Sequence, residues 1–195
     1  MVSAFEHSHD RSVSGTSAAD AQGITDADRQ IAAFRDLVEL GEEEARVLER
    51  EAHGFVPPAT AKFVDSLHGT LLRIGETRAY FAAPGIAARA RRGQRRYFQR
   101  LFSCEYGAHY AWDQQAVAHS HSQIGIEPGW LLGVYARYVD YLAEVAGKAF
   151  KDDPAGALKV VQAGVKLAFH DAHEAIAELM RVLLERHKAL LEAQE

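Results

Sequence analysis

The stretch HSQIGIEPGW, residues 121–130, carries the most information in this 195-residue sequence. A histidine stands near the end of a segment with helical periodicity, and Gly125 follows where a chain commonly turns out of a helix. Pro128 suits the first turn of a new helix, which would carry Trp130 inward. With this arrangement, a helical protein can direct one imidazole ring, that of His121, at a buried metal.

The spacing around His121 predicts which side of its helix it occupies. Val117, His121 and Ile124 recur at steps of four and three residues, so we expect them to share one face. His119 lies two residues earlier and is expected to be exposed on the opposite side. A histidine on an apolar face is either a hydrogen-bonded core residue or a metal ligand, and the residues alone leave both interpretations open.

The composition indicates one globular domain and excludes several kinds of site. The length allows a substantial core, and 48% of the residues are apolar. The net charge of −5 does not favour nucleic-acid binding, and no run of about 18 apolar residues predicts a membrane span. The single cysteine, Cys104, excludes an internal disulfide, a zinc site of several cysteines and a covalent C-x-x-C-H haem site. The first residues show no secretory signal, so we expect a cytoplasmic protein.

Glycine, proline and apolar periodicity organise the chain into helices. Residues 1–23 have little apolar content and are predicted to be a disordered tail, which leaves residues 24–195 as one domain. Turn residues mark the predicted helix boundaries, at Gly41, Gly54, Pro57, Pro84, Gly85, Pro128 and Pro154. No alternating strand pattern competes with the helical spacing, so we predict an all-α fold of about seven to eight helices.

The last helix is predicted to be longer than a small domain is wide. From Ala157 to about residue 192 it would extend roughly 54 Å at about 1.5 Å per residue. An apolar stripe runs along it, formed by Leu158, Val161, Val165, Ala168, Ala172, Ile176, Leu179, Leu183 and Leu190. A stripe that outruns its own domain indicates a contact with a second chain.

An arginine-rich helix and a histidine–aspartate group are both predicted to have structural roles. Six arginines of one predicted helix are expected to form a solvated face, with one or two available to an anionic ligand group, at Arg89, Arg91, Arg92, Arg95, Arg96 and Arg100. His170, Asp171 and His173 have a spacing that a metal would accept, but the rest of a ligand set is missing. We therefore expect these three residues at the surface or in a subunit contact.

Five pieces of the sequence, in order, resemble globin-coupled sensors and protoglobins, and the resemblance extends over residues 30–180. The pieces are FRDLVELGEEEA at 34–45, FVDSL at 63–67, RRYFQRLFS at 95–103, HSQIGIEPGW at 121–130 and AFHDA at 168–172. The resemblance implies an all-α, globin-like fold with an extra N-terminal helix and a long C-terminal helix. It also implies non-covalent haem b (iron protoporphyrin IX), with His121 as the proximal iron ligand.

The resemblance also implies which residues surround the haem. Besides His121, the residues expected there are Val64, His68, Ala90, Gly93, Gln94, Tyr97, Val117, Ile126, Trp130, Tyr135 and Tyr138. The spacing of Trp130, Tyr135 and Tyr138 is also typical of core residues, and one or two of them would touch the haem edge.

Four residues depart from the family pattern. Val64 stands where a distal tyrosine is usual, and Leu131 replaces a tyrosine that supports the proximal histidine. Ala90 and Gly93 stand where leucine and often threonine are expected. A hydrogen bond to the partly negative O2 contributes roughly 1.5–3 kcal/mol, so its loss would weaken O2 retention by about one to two powers of ten. These departures predict a globin that favours CO or NO, or that holds O2 weakly and oxidises readily.

Two other residues are candidate substitutes for the distal tyrosine. His68 lies one turn after Val64 on the same face, and Gln94 neighbours Gly93. Either side chain would then reach the distal side of the haem, or His68 would bind the iron and make it six-coordinate. The alternative is that both side chains point elsewhere.

The main functional hypothesis is a sensor globin that reversibly binds a diatomic gas, which is O2, CO or NO. It would signal through a homodimer of its last two helices to a separate protein. The alternative is a globin-fold dimerisation or interaction module without haem. Haem peroxidase or NO-oxidising activity is a weaker hypothesis, because only His68 offers an acid–base group on the distal side.

Overall fold

The computed structural model describes residues 29–30, 32–52, 54–101 and 108–193. Within these ranges the chain is helical and contains no β-strand, which confirms the predicted all-α class. The predicted tail, residues 1–23, lies outside the described residues. None of the described helices combines the length and the apolar character that crossing a membrane requires.

The described helices follow the predicted boundaries closely. They are α1 (29–30 and 32–37), α2 (Glu42–Val47), α3 (Val56–Leu71), α4 (Gly75–Arg78), α5 (Ile86–Leu101), α6 (Ala108–Gln123), α7 (Pro128–Ala149) and α8 (Pro154–Glu192). A π-helical turn, Leu48–Ala52, extends α2, and a 3-10 turn, Ala79–Phe81, extends α4. Neither turn, nor α4, is predictable from the sequence, because all three are too short to show a periodic apolar face.

Local chemistry explains where the helices begin and end. Proline occupies the first turn of α3, α7 and α8. A backbone N–H in the first turn has no acceptor within the helix, so proline, which lacks this N–H, costs no hydrogen bond there. The Asp153 carboxylate accepts a hydrogen bond from the backbone N–H of Gly156 at 3.0 Å and so caps α8. After α6, Gly125 adopts a φ of 69°, which side chains with a Cβ disfavour, and the backbone N–H of Ile126 donates to the carbonyl of His121 at 3.1 Å.

Three aromatic rings join α3, α5 and α7 in the core. The centroid of Phe63 lies 5.2 Å from that of Phe98 and 5.5 Å from that of Tyr138, in edge-to-face contacts. Phe98 and Tyr138 stack at 4.8 Å. All three side chains are buried, so each ring contacts protein instead of water. These contacts hold the three helices together.

Helix α8 is the longest element and packs along both α6 and α7. Its 39 residues extend about 58 Å, close to the sequence expectation. The Lys166 ammonium donates to the carboxylate of Glu44 at 2.6 Å and to the carbonyl of Glu39 at 3.0 Å, which ties α8 to the N-terminal helices. The predicted apolar stripe is divided: Ala168 and Leu179 are buried inside this chain, whereas Leu190 is 64% exposed.

A close approach of α7 and α8 at Gly164 provides a test of the packing. A Cβ atom added at Gly164 would lie 2.1 Å from the Cδ2 atom of the fully buried Leu142. We expect Gly164→Ala to lower the free energy of unfolding by about 1–3 kcal/mol, measured by urea denaturation. The matched control is Gly147→Ala in α7, which is exposed and has no described atom within 4 Å; it should raise stability by about 0.5–1 kcal/mol. Equal stability of the Gly164 variant and the unchanged protein would contradict this packing.

Candidate functional site

His121 lies beside the face through which α6 packs on α8. Ala118 and Ser122 form the buried face, and both are fully enclosed. His121 is turned about 100° from Ser122 around the helix and is half-buried. The predicted face of Val117, His121 and Ile124 is therefore not the packing face of α6. Val117 and His121 lie at the edge of the contact between α6 and α8, and Ile124 follows the end of α6 with 42% exposure.

The His121 ring has the chemistry of an unused metal ligand. Among the described residues, its buried Nδ1 atom has no hydrogen-bond partner. Burial lowers the pKa of His121 to about 4, so the ring is neutral at physiological pH. A neutral imidazole has a free lone pair for a metal, which a protonated ring lacks.

The turn that carries His121 is held by α8. Arg186 donates from Nη1 to the carbonyl of Ser122 at 2.8 Å, across 64 residues of sequence. The backbone N–H of Gly125 donates to the same carbonyl at 3.2 Å. His119 is exposed, as predicted, and its Nε2 atom lies 2.9 Å from the amide Nε2 atom of Gln123. These contacts close the end of α6 and fix the backbone beside His121.

Helices α5 and α6 have different packing partners. Helix α5 packs on α3, whereas α6 packs on α8, and in the described part of the chain α5 and α6 do not pack closely on each other. Two arginines of the predicted solvated face strengthen the first pair, since Arg95 contacts the Asp65 carboxylate at 2.6 Å and Arg91 lies 3.7 Å from it. Both arginine side chains are 38% exposed, so they remain on a solvated face while they pair with Asp65.

The structure brings His68 and Gln94 together between α3 and α5. His68 is fully buried, and its ring centroid lies 5.4 Å from that of Phe81. Neither ring nitrogen of His68, nor Oε1 of Gln94, has a hydrogen-bond partner among the described residues. Burial lowers the pKa of His68, and the nearby Gln94 amide opposes that shift. Val64 is fully buried one turn earlier on α3.

The other predicted haem contacts have mixed positions. Tyr138 belongs to the core and is fully enclosed by protein, and Val64 shares that core. The Tyr97 and Tyr135 hydroxyls are hydrogen-bonded at 2.7 Å, so these rings have an additional structural role. The remaining predicted residues are all half-buried, on α5 at Ala90 and Gly93, on α6 at Val117 and near the start of α7 at Ile126 and Trp130.

A buried acidic cluster on α8 corrects the sequence expectation for residues 170–173. Asp171 is fully buried and accepts a hydrogen bond from the Tyr135 hydroxyl, and His170 and Glu174 are also buried. His173 stacks on Phe34 of α1 with centroids 4.1 Å apart. A surface position was wrong because α8 is covered by its own chain here; the mostly apolar neighbours at helical spacing were the available signal. In the described part of the chain, no group of three or more potential metal-ligating side chains is found.

Burial sets the protonation of this cluster. Burial raises the pKa of Glu174 to about 7. Burial also raises the pKa of Asp171 well above its usual value, and the negative charge of Glu174 adds to this shift. Burial lowers the pKa of the neighbouring His170 to about 4, although its Nε2 atom lies 3.4 Å from the Glu174 carboxylate. The cluster therefore favours neutral side chains.

The sequence model of the protoglobin family matches residues 27–184, which is most of the chain. The chain belongs to the protoglobin family. This protoglobin is also similar in structure to the globin domain of a Geobacter sulfurreducens globin-coupled sensor, with a TM-score of 0.68 and 16% identity over 75% of this chain and 95% of that chain. At that identity the likeness shows the globin fold. No curated protein matches the sequence.

The family implies haem, and the residues of this protoglobin fit that group. Haem requires one neutral imidazole at its iron and a slot between helices. His121 offers such a ring, whose Nδ1 atom has no partner in the described ranges. Helices α5 and α6 do not pack closely on each other within the described ranges. His121 and the helices α5 and α6 are therefore the parts of the chain that would hold haem.

The buried cluster generates a pH-dependent stability that can be measured. Because the pKa of Glu174 is raised on folding, its contribution is present below about pH 4.5 and is lost as the pH rises through 7. Glutamine cannot ionise, so Glu174→Gln removes that loss. The free energy of unfolding of the variant should exceed that of the unchanged protein by up to about 3 kcal/mol at pH 8 and by little at pH 5. Urea denaturation at both pH values measures the difference. Glu49→Gln, at an exposed position, is the control: it keeps Glu174, so its stability should fall between pH 5 and pH 8 as that of the unchanged protein does.

Proposed function

We propose that this protoglobin binds haem b non-covalently through His121 and reversibly binds a diatomic gas there. The observation that carries the proposal is the neutral His121 imidazole, whose buried Nδ1 has no partner among the described residues. Family membership and the globin fold support it. Haem would supply the iron at which O2, CO or NO is held, and the chain would supply the ligand, its orientation and the surrounding polarity.

The orientation of His121 would depend on the helix end rather than on a hydrogen bond to the ring. Metal-binding histidines commonly donate their second nitrogen to a fixed acceptor. Here Leu131 is buried and apolar where the resemblance places a tyrosine, so this position offers the ring no hydroxyl. Arg186 therefore acts as a positioning residue, because its hydrogen bond fixes the carbonyl of the next residue, Ser122.

Replacing the proposed ligand tests the haem site directly. Protein supplied with haem should develop the absorption of five-coordinate haem, and His121→Ala should lose it because the proposed iron ligand is removed. The matched control is His119→Ala, which removes an exposed ring two residues away and should leave the spectrum unchanged. A normal five-coordinate spectrum in the His121 variant would overturn the assignment.

A second candidate is a globin-fold interaction module without haem. One observation favours it, since Val64 and Tyr138 are fully enclosed by protein rather than open to a cavity. Tyr138 also stacks on Phe98 within the core. The same spectrum separates the candidates, because a module of this kind would stay colourless after haem is supplied and would have the same absorption with or without His121.

Signalling is proposed to pass through a homodimer of α7 and α8 to a separate cytoplasmic protein. The outer face of α8 presents Leu158, Phe169 and Met180 with exposures of 57%, 54% and 43%. They recur at steps of eleven residues, three helical turns, and so lie on one side. A groove of about 340 Å³ continues this face, lined by Phe34, Leu132, Phe169, Ala172, His173, Ile176 and Ala177. An apolar face of this kind is typical of a protein contact.

The dimer can be tested by charge placed on this face. Phe169→Glu would put a carboxylate into an apolar contact, so light scattering should show the mass falling from that of a dimer to that of the 21.5 kDa chain. Leu37→Glu is the control, because Leu37 is also exposed but lies on α1 outside the groove lining. A monomeric unchanged protein at high concentration would exclude the homodimer.

A further inference from the structure

We propose that Arg89, Arg92 and Arg96 on α5 form a docking surface for a short acidic segment of another protein. This arginine surface lies on a helix that packs on α3, whereas the face proposed for the homodimer belongs to α8. The interaction requires no haem, so it goes beyond the proposed gas-binding function and does not depend on it.

The first support is the concentration of positive charge on α5. The helix, Ile86–Leu101, contains six arginines and neither aspartate nor glutamate. The whole chain nevertheless has a net charge of −5, so the residues outside α5 are together more acidic still. Like charges one turn apart on a helix repel each other, and the positive end of the helix dipole disfavours bases near the first turn. This arrangement therefore lowers helix stability unless carboxylates from elsewhere neutralise it.

The chain neutralises one side of α5 and leaves the other side open. The Asp65 carboxylate on α3 contacts Arg95 at 2.6 Å and lies 3.7 Å from Arg91. The three residues of the arginine surface have no carboxylate within ion-pair distance in the described part of the chain. Their charge is therefore available to carboxylates of another molecule.

Exposed bases on other helices show the pairing that α5 lacks. Arg46 contacts Glu42 one turn earlier on α2 at 2.6 Å, and Arg181 contacts both Glu178 and Glu185 on α8. Pairs at this spacing stabilise a helix locally. Helix α5 cannot form such pairs from its own sequence, so its arginine clustering is not explained by the stability of the helix.

The arginine surface is exposed and has a regular spacing. Arg92 and Arg96 are exposed, and Arg89 is half-buried beside them. Steps of three and four residues place the three side chains on one side of α5, over about 10 Å. Each guanidinium group can donate two parallel hydrogen bonds to one carboxylate. A segment with carboxylates one helical turn apart would therefore meet all three arginines.

The neighbouring residues favour a protein segment over other polyanions. Among the described side chains of α5, the exposed ones besides Arg92 and Arg96 are Ala88 and Gln99. This face thus offers no aromatic ring on which bases would stack and no large apolar side chain that would enter a membrane. The acidic remainder of the chain would also repel an extended polyanion that reached beyond the arginine surface.

Binding of an oligoglutamate peptide of about ten residues, or three helical turns, tests the proposal by fluorescence anisotropy. The unchanged chain is compared with the double variant Arg92→Gln/Arg96→Gln, because glutamine keeps the helix propensity and removes the charge. The double variant should bind about 3- to 30-fold more weakly. Binding to the unchanged chain should also weaken as salt rises from about 50 to about 500 mM.

The matched control is the double variant Arg50→Gln/Arg137→Gln. It removes the same charge from two exposed positions outside α5, so it should bind the peptide like the unchanged chain. An equal loss of affinity in both double variants would show attraction to net charge alone and would overturn the proposal. Absence of peptide binding by the unchanged chain at low salt would overturn it as well.

Three further measurements distinguish other roles of the arginine surface. Tighter binding of a ten-nucleotide single-stranded DNA or of phosphatidylserine vesicles, lost in Arg92→Gln/Arg96→Gln, would assign the surface to another class of partner. The unfolding midpoint of this variant should not fall, because the variant relieves repulsion; a lower midpoint would show a structural role instead. Haem titration should give the same uptake as in the unchanged chain, and a loss of uptake would assign the arginines to haem. Each of these contrary results would overturn the proposal, whereas failure of haem binding in the unchanged chain would affect the proposed function alone.

Discussion

The packing of α6 on α8 through Ala118 and Ser122 is the constraint on which the candidate site depends. Because that face is fully used, the adjoining face with His121 stays outside the helix contact. Arg186 then fixes the end of α6 by bonding to the Ser122 carbonyl. Without this contact the imidazole would share the motion of a free helix end, and a ligand that must meet one metal from one side cannot tolerate that motion.

Two polar groups in the described interior have different hydrogen bonding. On α8, Asp171 is bonded to the Tyr135 hydroxyl, so this cluster contributes to the structure of the chain itself. Between α3 and α5, the nitrogens of His68 and the carbonyl oxygen of Gln94 have no partner among the described residues. The α8 cluster also keeps unmet groups, since neither ring nitrogen of His170 has a partner in the described part of the chain, and unmet buried polar groups are costly at both places.

Much of the fold could be predicted because its signals are local. Proline in the first helical turn and glycine beyond the last one depend on a few neighbouring residues, so the bounds of α7 and α8 agree with expectation to within a residue or two. The contacts were harder, since sequence spacing places residues on a face but does not say what covers it. His170 and Asp171 were expected at the surface and are buried, and Arg91 pairs with Asp65 instead of facing water alone.

The amino-acid sequence was sufficient to establish the helical class, the helix order, the family resemblance and the choice of His121 as the candidate ligand. Each of these depends on periodicity or on a motif within about ten residues. The placement of Gln94 beside His68, the contact of Arg186 with Ser122 and the burial of Asp171 required the folded chain. The physical reason is that each of them joins side chains from different helices or depends on what a neighbouring helix covers, and helix crossings follow from packing rather than from local sequence.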